Sequence, residues 1–221
     1  VFKAKSHGVE GFEKILCVKI IDPALASRQP FVDTLIEEAK RAGSLSHANV
    51  AQIHDLGRDE ETGDFYVASE FVNGYDLGRV LELSVRNADG LPVPLATFIA
   101  SEVAKGLDFA HRRKDFNFDD LNLLHRNICP GNILISFDGE VKISDFGLVR
   151  CHIADTLEPS RPTAFPDAVA PAEPNAAMGT PAYMAPEQFA GGDGITQRTD
   201  LYAFGCCFYE SLAGRHLFEI R

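Results

Sequence analysis

Two short segments hold most of the reactive groups of this chain: Leu124-His125-Arg126-Asn127-Ile128-Cys129-Pro130-Gly131-Asn132 and Ser144-Asp145-Phe146-Gly147. Asn132 and Asp145 offer hard oxygen atoms, the donor type that a magnesium ion takes. Far upstream, Lys19 offers an ammonium, a mobile point charge that tolerates partial burial when paired, and Glu38 offers a carboxylate. Asn127 is an amide: its oxygen accepts a hydrogen bond, but it takes no proton at neutral pH. Taken singly, each group has a plainer reading as a solvated charge or a turn residue. Their order and spacing are what point to chemistry.

Such groups need a scaffold, and the apolar pattern outlines one. Residues 11–21 alternate and end in Ile15-Leu16-Cys17-Val18-Lys19-Ile20-Ile21, which predicts a strand. From Pro30, apolar residues fall at Phe31, Leu35, Ala39, Ala42 and Leu45, a helical spacing with proline at its start. Strands are expected near Val50–Leu56 and Phe65–Val72, split by the turn-rich 59–64. After Asn73-Gly74 the pattern becomes helical, with a long amphipathic stretch from Pro94 to Arg112. Ile133–Ser136 and Val141–Ser144 flank Asp138-Gly139, a strong hairpin signal. Residues 157–178, rich in Pro and Ala, read as a mobile loop. Asp200 to Leu212 is apolar nearly all round and predicts a buried helix. Strands with one helix, followed by helices around a hairpin, imply two unlike lobes of an α+β protein.

The bulk numbers exclude several classes. A net charge of -11 argues against a nucleic-acid or anionic-membrane surface. The 5 cysteines show no C-x-x-C spacing, which disfavours a disulfide framework or zinc site and fits a reducing compartment. There is no apolar run long enough for a membrane helix, and the start is not a signal peptide. A cytoplasmic location is expected for this segment, with an anchor outside it left open. The chain begins at Val1 and ends at Arg221, and a fragment is expected.

In this order the motifs resemble those of the protein kinase superfamily, specifically the bacterial-type Ser/Thr protein kinases, over nearly all of the chain. Cys17-Val18-Lys19 resembles the A-x-K of the third strand, and Glu38 resembles the helix C glutamate. The resemblance implies that these two form an ion pair and that Lys19 grips the α- and β-phosphates of ATP. Asn132 and Asp145 resemble the two Mg²⁺ ligands. Ser69, Glu70 and Val72 fall at the hinge that adenine contacts, with a small residue at Ser69 leaving the pocket behind the base open. Gly179-Thr180-Pro181-Ala182-Tyr183-Met184-Ala185-Pro186-Glu187 resembles the Ser/Thr-kinase G-T-x-x-Y-x-x-P-E, and Asp200 resembles the buried aspartate of helix F. Arg126 is retained as a partner for a phosphate on the activation segment, where Thr156, Ser160 and Thr163 offer hydroxyls.

The departure lies at the chemical position. H-R-D-x-x-x-x-N has become H-R-N-x-x-x-x-N, so Asn127 replaces the aspartate that accepts the substrate hydroxyl's proton, and Cys129 stands where many relatives carry lysine. The resemblance implies a kinase-like fold with both lobes incomplete. Residues 1–72 form a partial β-rich N-lobe with helix C, from the strand after the Gly-rich loop to the hinge. Residues 73–221 form a mainly helical C-lobe, to just after helix F, with the activation segment at 145–187. The Gly-rich loop is expected before residue 1, the last C-lobe helices after Arg221, and poor folding of these 221 residues alone follows. The leading functional expectation is a domain that binds ATP and Mg²⁺, with impaired phosphoryl transfer and a signalling or scaffold role. Lys19, Asp145 and the defective base position Asn127 are its catalytic set. A working Ser/Thr kinase is the alternative, and an interaction module without nucleotide is the third. The protein substrate or signalling partner is not named by the sequence.

Overall fold

The computed structural model describes residues 1–85, 90–114, 118–147, 181–189 and 194–218. The loop expected at 157–178 and the hydroxyls of Thr156, Ser160 and Thr163 lie outside these residues. Strands β1 (Phe2–His7), β2 (Glu13–Ile20), β3 (Ile53–Arg58) and β4 (Phe65–Glu70) form an antiparallel sheet in the order β1-β2-β4-β3. Phe2 pairs with Val18 and His7 with Glu13, so the first hairpin closes through Glu10 and Gly11, both at positive φ. A short helix α1 (Pro23–Ala26) starts where Asp22 Oδ1 accepts from the Ala24 amide at 2.8 Å. Helix α2 (Gln29–Gly43) follows, with Pro30 in its first turn. Its buried stripe, Phe31, Val32 and Leu35, packs on Val67 beneath the sheet.

The second half is built around helices. Strands β5 (Gly74–Asp76), β6 (Ile133–Ser136) and β7 (Val141–Ile143) form a small antiparallel sheet. Around it lie α3 (Leu77–Val85), α4 (Val93–His111), the short α5 (Pro186–Phe189) and α6 (Gln197–Ala213). The large core joins Ile99, Val103 and Leu107 of α4 to Ala203, Cys206 and Cys207 of α6, with Ile143 and Phe146 above them.

Three local departures from the sequence pattern have physical causes. Val50 is not in β3; it bridges Ile143 in parallel, and the Ala51 amide donates to Ile143 O at 2.8 Å. Helix α6 begins three residues before Asp200 because Thr196 caps it reciprocally with Thr199, and Gly214 in the left-handed conformation stops it. The third is β5, expected to be helical. Gly74 pairs with Ser136, and a Cβ on it would sit 1.9 Å from the carbonyl oxygen of Ile135. Only glycine allows strands to approach that closely. Gly74→Ala is therefore expected to cost about 3 kcal/mol, the upper end for overpacking because backbone must yield. Urea denaturation of the two forms measures it.

Candidate nucleotide site

A cavity of about 370 Å³ opens between the two sheets, within the roughly 300–1,000 Å³ of small-molecule sites. Cys17 and Lys19 of β2 and Val67 and Ser69 of β4 form one wall. Glu70, Phe71 and Val72 form its side, and Gly131, Leu134 and Asp145 form the opposite wall. Alternation along β2 sends Leu16 and Val18 to the other face, where they floor a wider hollow of about 820 Å³. That hollow contains neither Lys19 nor Asp145.

Lys19 Nζ lies 3.1 Å from Asp145 Oδ2 across the cavity. Both side chains are partly exposed, so the pair adds little stability and exchanges readily for another anion or cation. Asp145 has φ 58 and Arg126 has φ 65. Left-handed backbone at non-glycine residues costs about 1–3 kcal/mol each and collects where geometry serves a site. The Lys19–Glu38 ion pair implied by the resemblance is not formed. The buried Glu38 carboxylate instead lies 3.7 Å from Arg41 Nη1 and 3.9 Å from Arg126 Nη1. Its Oε2 stands 3.3 Å from where a Cβ on Gly147 would lie, so the segment after Asp145 packs against it. With Asp145 at hand for Lys19 and Arg126 for Glu38, each charge has a partner nearer than the other.

The segment bearing Asn127 is held from beneath. Asp200, wholly buried at the start of α6, accepts from the His125 amide at 2.8 Å, the Arg126 amide at 2.6 Å and His111 Nε2 at 2.8 Å. His125 Nε2 is 2.7 Å from Ser144 O, a pure acceptor, so Nε2 carries the proton. Nδ1 then accepts from the Asn127 amide at 3.2 Å. The ring meets Phe146 edge-on at 4.9 Å. Burial holds the His125 pKa below its ordinary 6.5, outweighing the pull of Asp200. The unfolded chain then binds more protons than the native one below that value, so stability rises with pH through the window beneath 6.5 and is lost as pH falls. The expected slope is up to about 1.4 kcal/mol per pH unit, read as melting temperature against pH, and His125→Gln removes it.

Asn127 O accepts from Asn132 Nδ2 at 2.9 Å, while Asn127 Oδ1 is buried without a hydrogen-bond donor. Asn132 O accepts from the Ser144 amide at 2.9 Å, which brings Asn132 alongside Asp145. Burial raises the Cys129 pKa, so this residue stays a neutral thiol. Among the described residues no cluster of three or more His, Cys, Asp or Glu could hold a metal alone. A divalent ion on Asn132 and Asp145 would need phosphate and water oxygens to complete its shell.

Of the residues singled out from sequence, Lys19, Ser69, Glu70, Val72 and Asp145 line the cavity. Asn127, Asn132 and Glu38 adjoin it through the contacts above. Sequence reasoning missed His111 and Lys142. The signal for Lys142 was a lone charge inside the apolar Val141-Lys142-Ile143. For His111, at the end of a long helix, there was none.

A β-rich lobe, a helical lobe and a cleft whose walls carry an ammonium facing a carboxylate define the two-lobed kinase class of protein. The family model for the protein kinase domain matches residues 1–221, and the chain belongs to that family. It is 33% identical over 212 residues to the tyrosine-protein kinase MasK of Myxococcus xanthus, covering 96% of this chain and 30% of that protein. It is 30% identical over 206 residues to the serine/threonine-protein kinase PknA of Mycobacterium tuberculosis, covering 92% of this chain and 42% of that protein. The chain thus spans less than half the length of these relatives. The crystal structure of the Mycobacterium tuberculosis PknI kinase domain superposes with a TM-score of 0.67 at 26% identity, over 95% of this chain and 66% of that one. The fold is that of a bacterial-type protein kinase. No helix among the described residues is long and apolar enough to cross a membrane.

Proposed function

We propose that this chain is a Ser/Thr-kinase-like domain that binds Mg-ATP in the cleft and transfers phosphate poorly, serving a signalling or scaffold role. The observation that carries this is the buried, donorless Oδ1 of Asn127. An amide oxygen there can accept a hydrogen bond, but it lacks the basicity to deprotonate a hydroxyl. When bound, ATP supplies the phosphoryl group and Mg²⁺ neutralises the charge building on it. Lys19 moves from Asp145 to the phosphates, leaving Asp145 and Asn132 to hold the ion. Ser69, Glu70 and Val72 face the base, and Glu38 serves Lys19 once it leaves Arg126. Cys129, a neutral thiol, brings no positive charge to the reaction centre. Residues 1–72 and 73–221 are then partial N- and C-lobes, with 145–187 the activation segment. The Gly179-Thr180 pattern favours Ser/Thr over Tyr as acceptor.

A second reading, a working Ser/Thr kinase, is favoured by the intact anchoring of the loop on Asp200. Positioning and metal electrostatics then carry the rate. The first test is the melting temperature of the full-length protein with and without Mg-ATP. At a hundredfold excess over Kd the native state gains about 2.7 kcal/mol, an expected rise of roughly 5–10 °C. No shift at saturating nucleotide leaves an interaction module.

A further inference from the structure

Lys142 sits between two core residues of β7 and is itself only 7% exposed. A buried ammonium is costly unless paired. Its partner is Glu70, with Nζ 3.0 Å from Oε1. Glu70 ends β4 and begins the linker that sides the cavity. Its Oε2 accepts from the Gln52 amide at 3.2 Å, and its own amide donates to Gln52 O at 2.8 Å. Gln52 Nε2 donates in turn to Gly43 O at the end of α2, at 3.1 Å. On the far side of the linker, Lys3 Nζ lies 4.5 Å from the ring centroid of Phe71.

The same strand leads to Asp145, three residues beyond Lys142. β7 is pinned along its length, with the Ile143 amide donating to Asn49 O at 2.9 Å and the Ala51 amide to Ile143 O at 2.8 Å. One end of the cavity, the linker, and the other, Asp145, are therefore joined through this side-chain ion pair, beside the backbone route through Gln52 and Ala51.

We infer that the Lys142–Glu70 pair is a strut that sets the spacing between the base-facing linker and Asp145, which makes Lys142 a positioning residue for nucleotide. The inference rests on the nucleotide reading above. A ligand spanning both ends gains from both only when their separation matches it, whereas a ligand held at the linker alone is indifferent to that spacing.

The test is calorimetric titration of Mg-ATP and of adenosine into the full-length protein as wild type, Lys142→Met and Lys142→Gln. Methionine replaces the ammonium with an apolar chain of similar reach, and glutamine replaces it with a shorter neutral amide that still offers Glu70 a donor. In both variants the Kd for Mg-ATP is expected to rise about tenfold, while that for adenosine changes less than about threefold. Lys142→Arg, which keeps the charge, restores Mg-ATP binding. Equal losses for the two ligands, or wild-type affinity for both, overturn the strut and leave the nucleotide reading standing. A wild type that binds neither ligand overturns both. Should Lys142→Met fail to fold, Lys142→Gln gives the same decision.

Discussion

Asn127→Asp is expected to raise phosphoryl transfer by about 10²–10⁴, the usual contribution of a positioned general base. At 1.36 kcal/mol per decade this is about 3–5.5 kcal/mol of barrier. The substitution leaves the backbone contacts of the loop in place, although a carboxylate buried without a donor carries a desolvation cost of its own. Asn127 is held by its backbone, through the amide to His125 Nδ1 and the carbonyl to Asn132 Nδ2, and neither contact uses the side chain. Its Oδ1 has no donor to lose. A carboxylate oxygen in that place accepts the same hydroxyl and also its proton. Transfer from labelled ATP to a Ser/Thr peptide by the full-length protein measures the gain. Asp145→Ala in the same background should abolish the signal, which separates it from contaminating activity. Equal transfer by wild type and Asn127→Asp would discard the impaired reading in favour of the working kinase.

Asp200→Ala is expected to cost about 3–5 kcal/mol of stability, the range for stripping a partner from a buried charged network. Two buried backbone amides and the His111 ring nitrogen lose their acceptor together. Each donor left unsatisfied carries its own desolvation penalty. In a chain of this size the expected fall in melting temperature is roughly 6–20 °C. Urea denaturation followed by circular dichroism checks it; a change below about 1 kcal/mol would mean that the loop is held by other contacts. Asp200→Asn should fall between the two, since one oxygen survives while the new amide points a donor at a donor.

Much of the fold was legible because burial writes a period into sequence. The Phe31–Ala42 stripe, the hairpin around Gly139 and the apolar α6 all stand within a few residues of where pattern placed them. What pattern could not see was set by distant contacts. Val50 looks like a strand residue, but it forms only an isolated bridge, to Ile143, over ninety positions away. The pattern turns helical after Asn73-Gly74, yet Gly74 pairs with Ser136 in a strand, where the close approach of Ile135 leaves no room for a side chain. At the site, motif spacing found Lys19 and Asp145, which do meet. It could not foretell which cation Glu38 would adopt, because that depends on how the segment after Asp145 packs against α2. Lys142 and His111 escaped for the same reason: each is explained by a carboxylate remote in sequence, Glu70 and Asp200.

The three donors converging on Asp200 come from His125, Arg126 and His111, and none comes from Asn127. Form and reactivity in this loop thus have separate keepers. On the impaired reading proposed above, activity then turns on one side chain, at residue 127, whose replacement leaves the backbone anchors of the loop in place.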